Sequence, residues 1–257
     1  MTDSRAVVLF VSDIHLSAQQ PRTAAAFLRF LSLVPARAGS LTILGDLFDS
    51  WAGDDDLDDP FIATVVAGLR ALASAGVTVQ LMRGNRDFLL GEDFARASGL
   101  SLLEERHRIG LPDGRPCLLS HGDALCTDDT AYQAFRTMVR DPAWQQAFLA
   151  RPLAERKGII AGLRTQSEAN KQTKSMAVMD INPQSVARWF IDTGTVVLIH
   201  GHTHRPGRNC LRLGDLELTC ERHVLTDWDF DGLKPRGGGL AVDADGIHEF
   251  SWTEAQG

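Results

Sequence analysis

The chain has 257 residues, of which 44% are hydrophobic, and its 26 basic and 33 acidic side chains give a formal net charge of −7. This length and composition are typical of one large α/β domain, or of a core domain with an insertion. The acidic balance argues against a general nucleic-acid-binding protein, which normally carries an excess of positive charge. No apolar run is long enough for a signal sequence or a transmembrane helix. We therefore expect a cytoplasmic protein that contacts a membrane at most from one side.

Strand-like and helical segments alternate along the first part of the chain. Residues 6–12 form a continuous apolar run rich in β-branched residues, which predicts a strand that is buried on both faces. Residues 41–46 and 77–85 predict two further strands. Between them, residues 21–34 and 60–75 have apolar side chains at helical spacing, and the first of these segments begins with proline. This pattern predicts two helices that alternate with the strands.

The second half of the chain contains further strands but ends differently. Residues 117–123 and 195–202 predict two more core strands, and a helix beginning near Pro183 precedes the second of them. From residue 209 onward, strand-like runs alternate with turn signals such as Asp245-Gly246, a typical hairpin turn. We therefore expect an α/β protein built as a four-layer α/β/β/α sandwich, in which two mixed sheets pack face to face between outer helices.

Residues 128–180 are the exception, because their pattern is almost entirely helical and is interrupted only by two X-Pro steps. They lie between two predicted core strands, so we expect an inserted helical lid and a core formed by residues 1–127 and 181–257. The middle of this lid, residues 151–174, holds six basic and two acidic side chains. Its positive charge either binds an anionic ligand or belongs to an ordinary solvated helix face.

Polar side chains suited to metal binding follow the predicted core strands. They are Asp13 and His15 after the first strand, Asp46 and Asp49 after the second, Asn85, Arg86 and Asp87 after the third, and His121, His202 and His204 after the later ones. In α/β sheets, ligand-binding groups gather at the carboxyl ends of the strands. Mixed oxygen and imidazole donors favour Mn, Fe or Zn over Ca. The sequence therefore predicts a metal site at this edge.

In order, the motifs D-x-H, G-D-x-x-D, G-N-x-D, a later H and G-H-x-H resemble those of the calcineurin-like metallophosphoesterases. The resemblance implies two sheets between helices, in agreement with the pattern above, and two divalent ions. The ligands it implies are Asp13, His15 and His204 for one ion, Asn85, His121 and His202 for the other, and Asp46 bridging both. In such sites, ions about 3.5–4 Å apart activate a shared hydroxide, which attacks phosphorus in line. Asp49 and Asp87 are expected to orient the ligands, and His200 only to end its strand.

Arg86 stands where many members of that family have a histidine that can assist the leaving group as an acid. Arginine, with a pKa above about 12, cannot donate its proton usefully, but it can hold phosphate in a bidentate fork. This favours a leaving group that needs no proton, such as a phosphate monoester with a second pKa of about 6. Arg86 therefore points to a pyrophosphate substrate.

Three longer strings, "GNRDFLLG" (84–91), "HGDALCTDDTAYQ" (121–133) and "IHGHTHRP" (199–206), resemble one branch of the family, the UDP-2,3-diacylglucosamine hydrolases of lipid A biosynthesis. The resemblance implies an enzyme with two Mn²⁺ that attacks the α-phosphorus of UDP-2,3-diacylglucosamine and releases UMP and 2,3-diacylglucosamine 1-phosphate (lipid X). The catalytic residues implied are Asp46, Asn85, Arg86 and His121. The substrate contacts implied are Asn85, Arg86, Asp129, Ser167, Lys171, Lys174 and His202.

The two acyl chains of such a substrate need an apolar surface, since each buried CH₂ is worth about 0.8 kcal/mol. A groove of this kind, open to the inner leaflet, predicts a peripheral protein on the cytoplasmic face of the inner membrane. The lid residues that either line an acyl groove or simply pack between helices are Trp144, Phe148, Leu149, Ile159, Ile160 and Leu163. Two alternatives stay open: another dimetal phosphoesterase acting on nucleotide diesters or diphosphates, and a scaffold that keeps the fold without catalysis.

Overall fold

The computed structural model describes residues 6–173, 180–213 and 218–253, with only the helical backbone for 166–173. The strands are β1 (Val8–Val11), β2 (Ser40–Leu44), β3 (Thr78–Met82), β4 (Ser101–Leu103), β5 (His107–Gly110), β6 (Pro116–Leu119), β7 (Val197–His200), β8 (Gly207–Leu213), β9 (Leu218–Val224), β10 (Gly238–Asp243) and β11 (Gly246–Ser251). The helices are α1 (Pro21–Leu33), α2 (Pro60–Ser74), α3 (Glu92–Ser98), α4 (Thr130–Arg140), α5 (Pro142–Leu149), α6 (Leu153–Thr173) and α7 (Pro183–Thr193).

The strands form two mixed sheets. The first has the order β11-β10-β1-β2-β3-β4, with β1 to β4 parallel and β10 antiparallel to both β1 and β11. The second has the order β5-β6-β7-β9-β8, with β6, β7 and β9 parallel and the two outer strands antiparallel. Parallel neighbours direct their carboxyl ends to one edge of each sheet.

Alternating side chains of the central strands separate four layers. Phe10 of β1 packs between the sheets, in one cluster with Ile199 of β7, whereas Leu9 faces the other way, towards α1 and α2. Leu118 and Leu198, on the outer side of the second sheet, form a cluster with residues of α7. The predicted α/β/β/α order of layers is therefore confirmed.

The helix starts follow from local capping chemistry. Proline occupies the first turn of α1, α2 and α7, where a missing backbone N–H costs nothing. The Asp59 side chain accepts from the amides of Phe61 and Ile62 at the start of α2, and Asn182 caps α7 in the same way. These side chains satisfy amides that have no partner within the helix.

The pattern in the sequence missed three of the helices and strands and extended several strands too far, since β3 ends at Met82 and β6 ends at Leu119. It gave no expectation for α3, β4 and β5, because elements of 7, 3 and 4 residues are too short to show a period. The strand-like run at 223–229 is mostly not a strand, because β9 ends at Val224 and Asp229 forms only an isolated bridge with Arg236.

The segment 128–180 contains the three helices α4, α5 and α6, which we call the helical segment. The Asp141 side chain caps α5 directly after α4 ends, so the predicted break at Asp141-Pro142 is present. The strands on either side of the segment, β6 and β7, are parallel neighbours in one sheet. Among the described residues, no helix is both long and apolar enough to cross a bilayer.

Candidate dimetal centre

The predicted ligands lie in loops that directly follow parallel strands. Asp13 follows β1, Asp46 follows β2 and Asn85 follows β3, each within three residues of the strand end, and His121 and His202 follow β6 and β7 in the same way. Backbone hydrogen bonds join neighbouring loops within each sheet. The amide of His15 donates to the Asp46 carbonyl at 2.9 Å, and the amide of Gly201 donates to the His121 carbonyl at 2.9 Å.

Backbone strain is concentrated in these loops. Among the residues that the structure describes, the non-glycine residues with positive φ are Asp13 (54°), His15 (52°), Asp46 (52°), His202 (68°) and His204 (53°). All five belong to the predicted ligand set. A left-handed conformation costs a non-glycine residue about 1–3 kcal/mol, and such residues gather where function requires a particular side-chain direction.

The first group of ligands contains Asp13, His15 and His204, whose donor atoms lie within 4.8 Å of one another. The two Nε2 atoms of the histidines are 3.3 Å apart. Asp13 Oδ1 lies 3.4 Å from His204 Nε2 and 3.9 Å from His15 Nε2. The three donor atoms therefore surround one point.

The second group contains Asn85, His121 and His202. Asn85 Oδ1 lies 2.9 Å from His121 Nε2 and 2.8 Å from His202 Nδ1. Asp46 lies between the two groups, with Oδ2 3.8 Å from His15 Nε2 and Oδ1 3.6 Å from His121 Nε2. The structure therefore brings all seven predicted ligands together and gives Asp46 the central place.

The residues present fit a pair of divalent cations. Donor atoms about 2.1 Å from a shared ion are necessarily within about 4 Å of one another, as these are. Asp13 Oδ1 is buried and has no hydrogen-bond partner, which is the state of an oxygen that awaits a cation. Burial raises the pKa of Asp46 to about 7, with Asp87 and Asp13 adding like charge nearby. A bound cation removes this penalty.

The protonation states of two of the histidines, His15 and His202, also suit metal binding. Burial lowers the pKa of His15 and of His202 to about 3, so both rings are neutral, which is the form that binds a metal. Burial also acts on His204, but the nearby carboxylates of Asp13 and Asp227 outweigh it and raise its pKa to about 10, so a metal ion at Nε2 has to displace a proton. Asp13 keeps a pKa well below its usual range despite complete burial, because His204 and the other histidines surround it.

Two glycines of the motifs are explained by close approach to the ligands. A Cβ at Gly84 would lie 2.1 Å from Asp46 Oδ1, and a Cβ at Gly201 would lie 2.2 Å from Asp13 Oδ2. Both carboxylates therefore occupy the space that a side chain would fill, and only glycine leaves that space open.

The acidic residues that we expected to orient ligands have different partners. Asp87 accepts from the amides of Gly84 at 2.7 Å and Leu47 at 2.8 Å, so it shapes the loops that carry Asn85 and Asp46 rather than a ligand side chain. Asp49 pairs with Arg164 of α6, so the prediction for Asp49 is wrong. His200 ends β7 with its ring buried, as expected.

The predicted substrate contacts lie in different surroundings. The backbone amide of Arg86 donates to Asp46 Oδ1 at 2.8 Å, and the Arg86 guanidinium makes no hydrogen bond or ion pair within the described part of the chain. Asp129 caps α4 by accepting from the amide of Tyr132 at 3.0 Å, and it is 8% exposed. Ser167 and Lys171 lie on the α6 backbone without described side chains, and Lys174 lies outside the described residues.

Sequence reasoning missed one face of α4 that contacts the site. Tyr132 stacks on the His202 ring with centroids 6.0 Å apart and donates its hydroxyl to Asp123 at 2.8 Å. Arg136 donates to the same carboxylate, and Arg140 donates to the carbonyl of Gly84 at 2.9 Å. The i, i+4 spacing of these three residues in the sequence could have predicted that they lie on one face of a helix.

The positive charge of residues 151–165 is matched by carboxylates. On α6, the side chains of Arg156, Lys157 and Arg164 pair with Asp55, Asp56 and Asp49, in that order. Arg151 pairs with Glu155 at 2.8 Å. Arg156, Lys157 and Arg164 therefore attach α6 to the loop after β2, and for these three cations both of our interpretations are corrected. Arg151 is 52% exposed and pairs within the helical segment, as the interpretation as a solvated helix face expects.

An apolar cavity of about 210 Å³ lies in the helical segment. It is lined by Trp144, Ala147, Phe148, Arg151 and Ile159. The rings of Trp144 and Phe148 stack at 4.9 Å. Two further members of the predicted acyl groove, Leu149 and Leu163, are 40% and 36% exposed.

Residues 6–206 match the model of the calcineurin-like phosphoesterases, and the chain belongs to that family, which uses a dimetal site. The chain is similar to the UDP-2,3-diacylglucosamine hydrolase of Aromatoleum aromaticum, with 51% identity over 87% of this chain and 89% of the relative. It is also similar to the UDP-2,3-diacylglucosamine hydrolase of Cellvibrio japonicus, with 48% identity over 91% and 97% of the two chains. These relatives show a hydrolase, and they confirm the resemblance of the three strings.

A solved structure supports the fold alone. It is a dimetal phosphatase from Danio rerio, with a TM-score of 0.50, 12% sequence identity, and coverage of 98% of this chain and 100% of that chain.

Proposed function

We propose that the chain hydrolyses the pyrophosphate bond of UDP-2,3-diacylglucosamine, so that water attacks the α-phosphorus and the products are UMP and lipid X. The substrate is the one that the relatives' name states. The observation that carries the proposal is the position of Arg86. Its backbone amide is bound to Asp46 at 2.8 Å, and its guanidinium has no partner among the described residues, so it is available for a phosphate next to the ligand groups.

In this proposal the ligand groups hold two divalent ions, for which we favour Mn²⁺ because the donors are mixed carboxylate, amide and imidazole groups. When bound, such ions lower the pKa of the attacking water and offset the charge that develops on the phosphoryl oxygens. Asp46 would contact both ions, because Oδ2 lies near His15 of the first group and Oδ1 near His121 of the second. Asn85 and His202 lie beside the diphosphate as well as in the second group.

Arg86 supplies charge to the diphosphate without donating a proton. Its fork of N–H groups suits two phosphoryl oxygens. The leaving group of the proposed reaction is lipid X, whose phosphate monoester departs as an anion near neutral pH because its second pKa is about 6. A general acid is therefore unnecessary, which agrees with an arginine at this position.

We propose that the helical segment 128–180 is a lid that holds the lipid part of the substrate. The cavity beside Trp144, Phe148 and Ile159 supports an acyl site there, since burying a chain of CH₂ groups is worth about 0.8 kcal/mol for each. The proposed contacts with the glucosamine and its phosphate are Asp129, Ser167, Lys171 and Lys174. A substrate anchored in a bilayer makes the enzyme peripheral to the cytoplasmic face of the inner membrane in this proposal.

The test is a comparison of three substrates with Mn²⁺-loaded protein: UDP-2,3-diacylglucosamine, UDP-glucose and bis-nitrophenyl phosphate. We expect UMP from the acylated substrate only, measured by chromatography. Equal turnover of UDP-glucose would contradict recognition of the acyl chains. Turnover of the diester alone would favour another dimetal phosphoesterase. A chain that binds no metal and turns over none of the three would be a scaffold.

A further inference from the structure

A buried carboxylate lies behind the most exposed of the histidine ligands. Asp227 follows β9, is 5% exposed, and places Oδ2 3.3 Å from His204 Nδ1. The other ring nitrogen of His204, Nε2, faces Asp13 Oδ1 at 3.4 Å. The His204 side chain is 37% exposed, whereas that of His121 is fully buried. Packing alone therefore constrains the His204 ring less than that of His121.

Asp227 is itself held from two sides. Arg236 donates from Nε to Oδ1 at 2.9 Å and from its terminal nitrogen to Oδ2 at 2.5 Å, which is a bidentate pair. The next residue, Trp228, donates its backbone amide to the carbonyl of Asp13 at 3.0 Å. Asp227 is thus fixed relative to the loop that carries Asp13, one of the proposed ligands.

We infer that Asp227 is a positioning residue, which holds His204 in the tautomer with the proton on Nδ1 and so leaves Nε2 free for a metal ion. This rests on the proposed role of His204 as a ligand. Histidine ligands generally need such a partner on the second nitrogen, because it fixes both the tautomer and the ring orientation. His121 has its own partner of this kind, the carbonyl of Leu44 at 2.9 Å from Nδ1. Asp227 serves His204, and it lies outside all the metal-binding motifs.

The decisive variant is Asp227→Asn. The amide has nearly the same shape but only one acceptor atom, so its NH₂ group meets either the Nε–H of Arg236 or both His204 Nδ1–H and the terminal N–H of Arg236, donor against donor. The matched control is Asp231→Asn, from the same segment, because Asp231 accepts from the backbone of Arg22 and Thr23 at the start of α1 and contacts no proposed ligand.

Metal affinity is measured by titrating the metal-free protein with Mn²⁺ in a calorimeter, without substrate. We expect Asp227→Asn to weaken one of the two sites by about 10- to 100-fold, and Asp231→Asn to bind both ions as the wild type does. In ¹⁵N-histidine NMR spectra of protein loaded with diamagnetic Zn²⁺, His204 should lose its single tautomer in Asp227→Asn only. A folded Asp227→Asn protein with two wild-type affinities and an unchanged His204 signal would overturn the inference.

A second, milder variant distinguishes weaker metal binding from a folding defect. Arg236→Met removes the bidentate partner of Asp227 but leaves the carboxylate, and the Arg236 side chain is 46% exposed. We expect a smaller loss of affinity at the same site, and recovery of kcat at raised Mn²⁺, which a general loss of structure would not show. Because the titration uses no substrate, failure to hydrolyse UDP-2,3-diacylglucosamine would reject the proposed function and leave this inference standing.

Discussion

At the scale of single residues, the candidate site combines strained backbone with hydrogen bonds that hold it. Each positive φ at a ligand costs about 1–3 kcal/mol. Part of this cost is offset where the strained loops bind one another, as in the bonds from the Asp13 amide to the Gly45 carbonyl at 3.1 Å and from the His15 amide to the Asp46 carbonyl at 2.9 Å. The ligand directions are thus set before any ion arrives.

Replacement of Arg86 tests the leaving-group argument. Arg86→Ala should lower kcat/KM for UDP-2,3-diacylglucosamine by about 100-fold or more, the usual effect of losing a charged donor at a developing charge. Its metal content, measured by mass spectrometry of the folded protein, should stay at the wild-type value, because only the backbone of Arg86 contacts Asp46. Wild-type turnover by this variant would show that the diphosphate is held by other groups.

A single methyl group at Gly201 should disturb the first ligand group. In Gly201→Ala the new Cβ meets Asp13 Oδ2 at 2.2 Å and Ser12 Oγ at 2.3 Å, so Asp13 has to move. We expect lower metal affinity, and destabilisation by about 1–3 kcal/mol as for other overpacked sites, measured by Mn²⁺ titration and urea unfolding. The matched control is Gly162→Ala in α6, where a Cβ meets nothing within 4 Å. It should raise stability by about 0.5–1 kcal/mol without changing metal affinity.

At the scale of elements, the attachment of α6 depends on one buried cation. Arg156 is 2% exposed and binds the carbonyl of Ala52 as well as the Asp55 carboxylate. Arg156→Met should release α6 at a cost of about 1.5–3 kcal/mol, since hydrogen bonds to a charged group are lost inside the protein. Amide hydrogen exchange of residues 153–165 should then be faster than in the wild type.

The neighbouring ion pair gives the control for this prediction. Lys157→Met removes the contact with Asp56 at 2.7 Å, but the Lys157 side chain is 47% exposed, and exposed ion pairs contribute at most about 1 kcal/mol. Equal acceleration of exchange in both variants would mean that burial of Arg156 does not decide how firmly α6 is held.

The elements that the sequence predicted share a simple physical origin. Strands β1, β2 and β7 are buried along nearly their whole length, so their mostly apolar runs are visible without an alignment. Helices α1, α2 and α7 have proline in the first turn, and proline there marks the start of a helix in the sequence. The short elements α3, β4 and β5 depend on packing against their neighbours, which no local window contains.

At the scale of the whole molecule, the convergence of the proposed ligand residues was predictable, but the residues that contact and support them were not. The ligands follow motifs at strand ends, and a parallel sheet brings strand ends together. Asp227 and Tyr132, by contrast, act through contacts with His204 and His202 that join separate parts of the chain. The role of the positive charge on α6 was mispredicted for the same reason. The partner of Arg156, Asp55, lies 101 residues away in the sequence.

The folded chain and the metal ions should stabilise each other. Ions at about 1,000 times their dissociation constant add about 4 kcal/mol to the free energy of unfolding when they bind only the folded state. The midpoint temperature of thermal unfolding of the wild type should therefore be clearly higher with excess Mn²⁺ than with chelator. Asp46→Ala should lose most of this difference, because it removes the carboxylate that lies between the two proposed ligand groups.

The pH dependence of the stability of the metal-free protein tests how much the ionised Asp46 carboxylate destabilises the folded state when no cation is bound. Burial raises the pKa of Asp46 from 3.8 to about 7, so between about pH 4 and 7 the folded state binds more protons at this group than the unfolded chain does. Its contribution to stability is therefore largest at the low end of this window and is lost as the pH rises towards 7. With chelator present, the unfolding midpoint of Asp46→Ala should rise relative to that of the wild type as the pH rises. A constant difference across the window would mean that Asp46 is ionised throughout and that the other ligands already balance its charge.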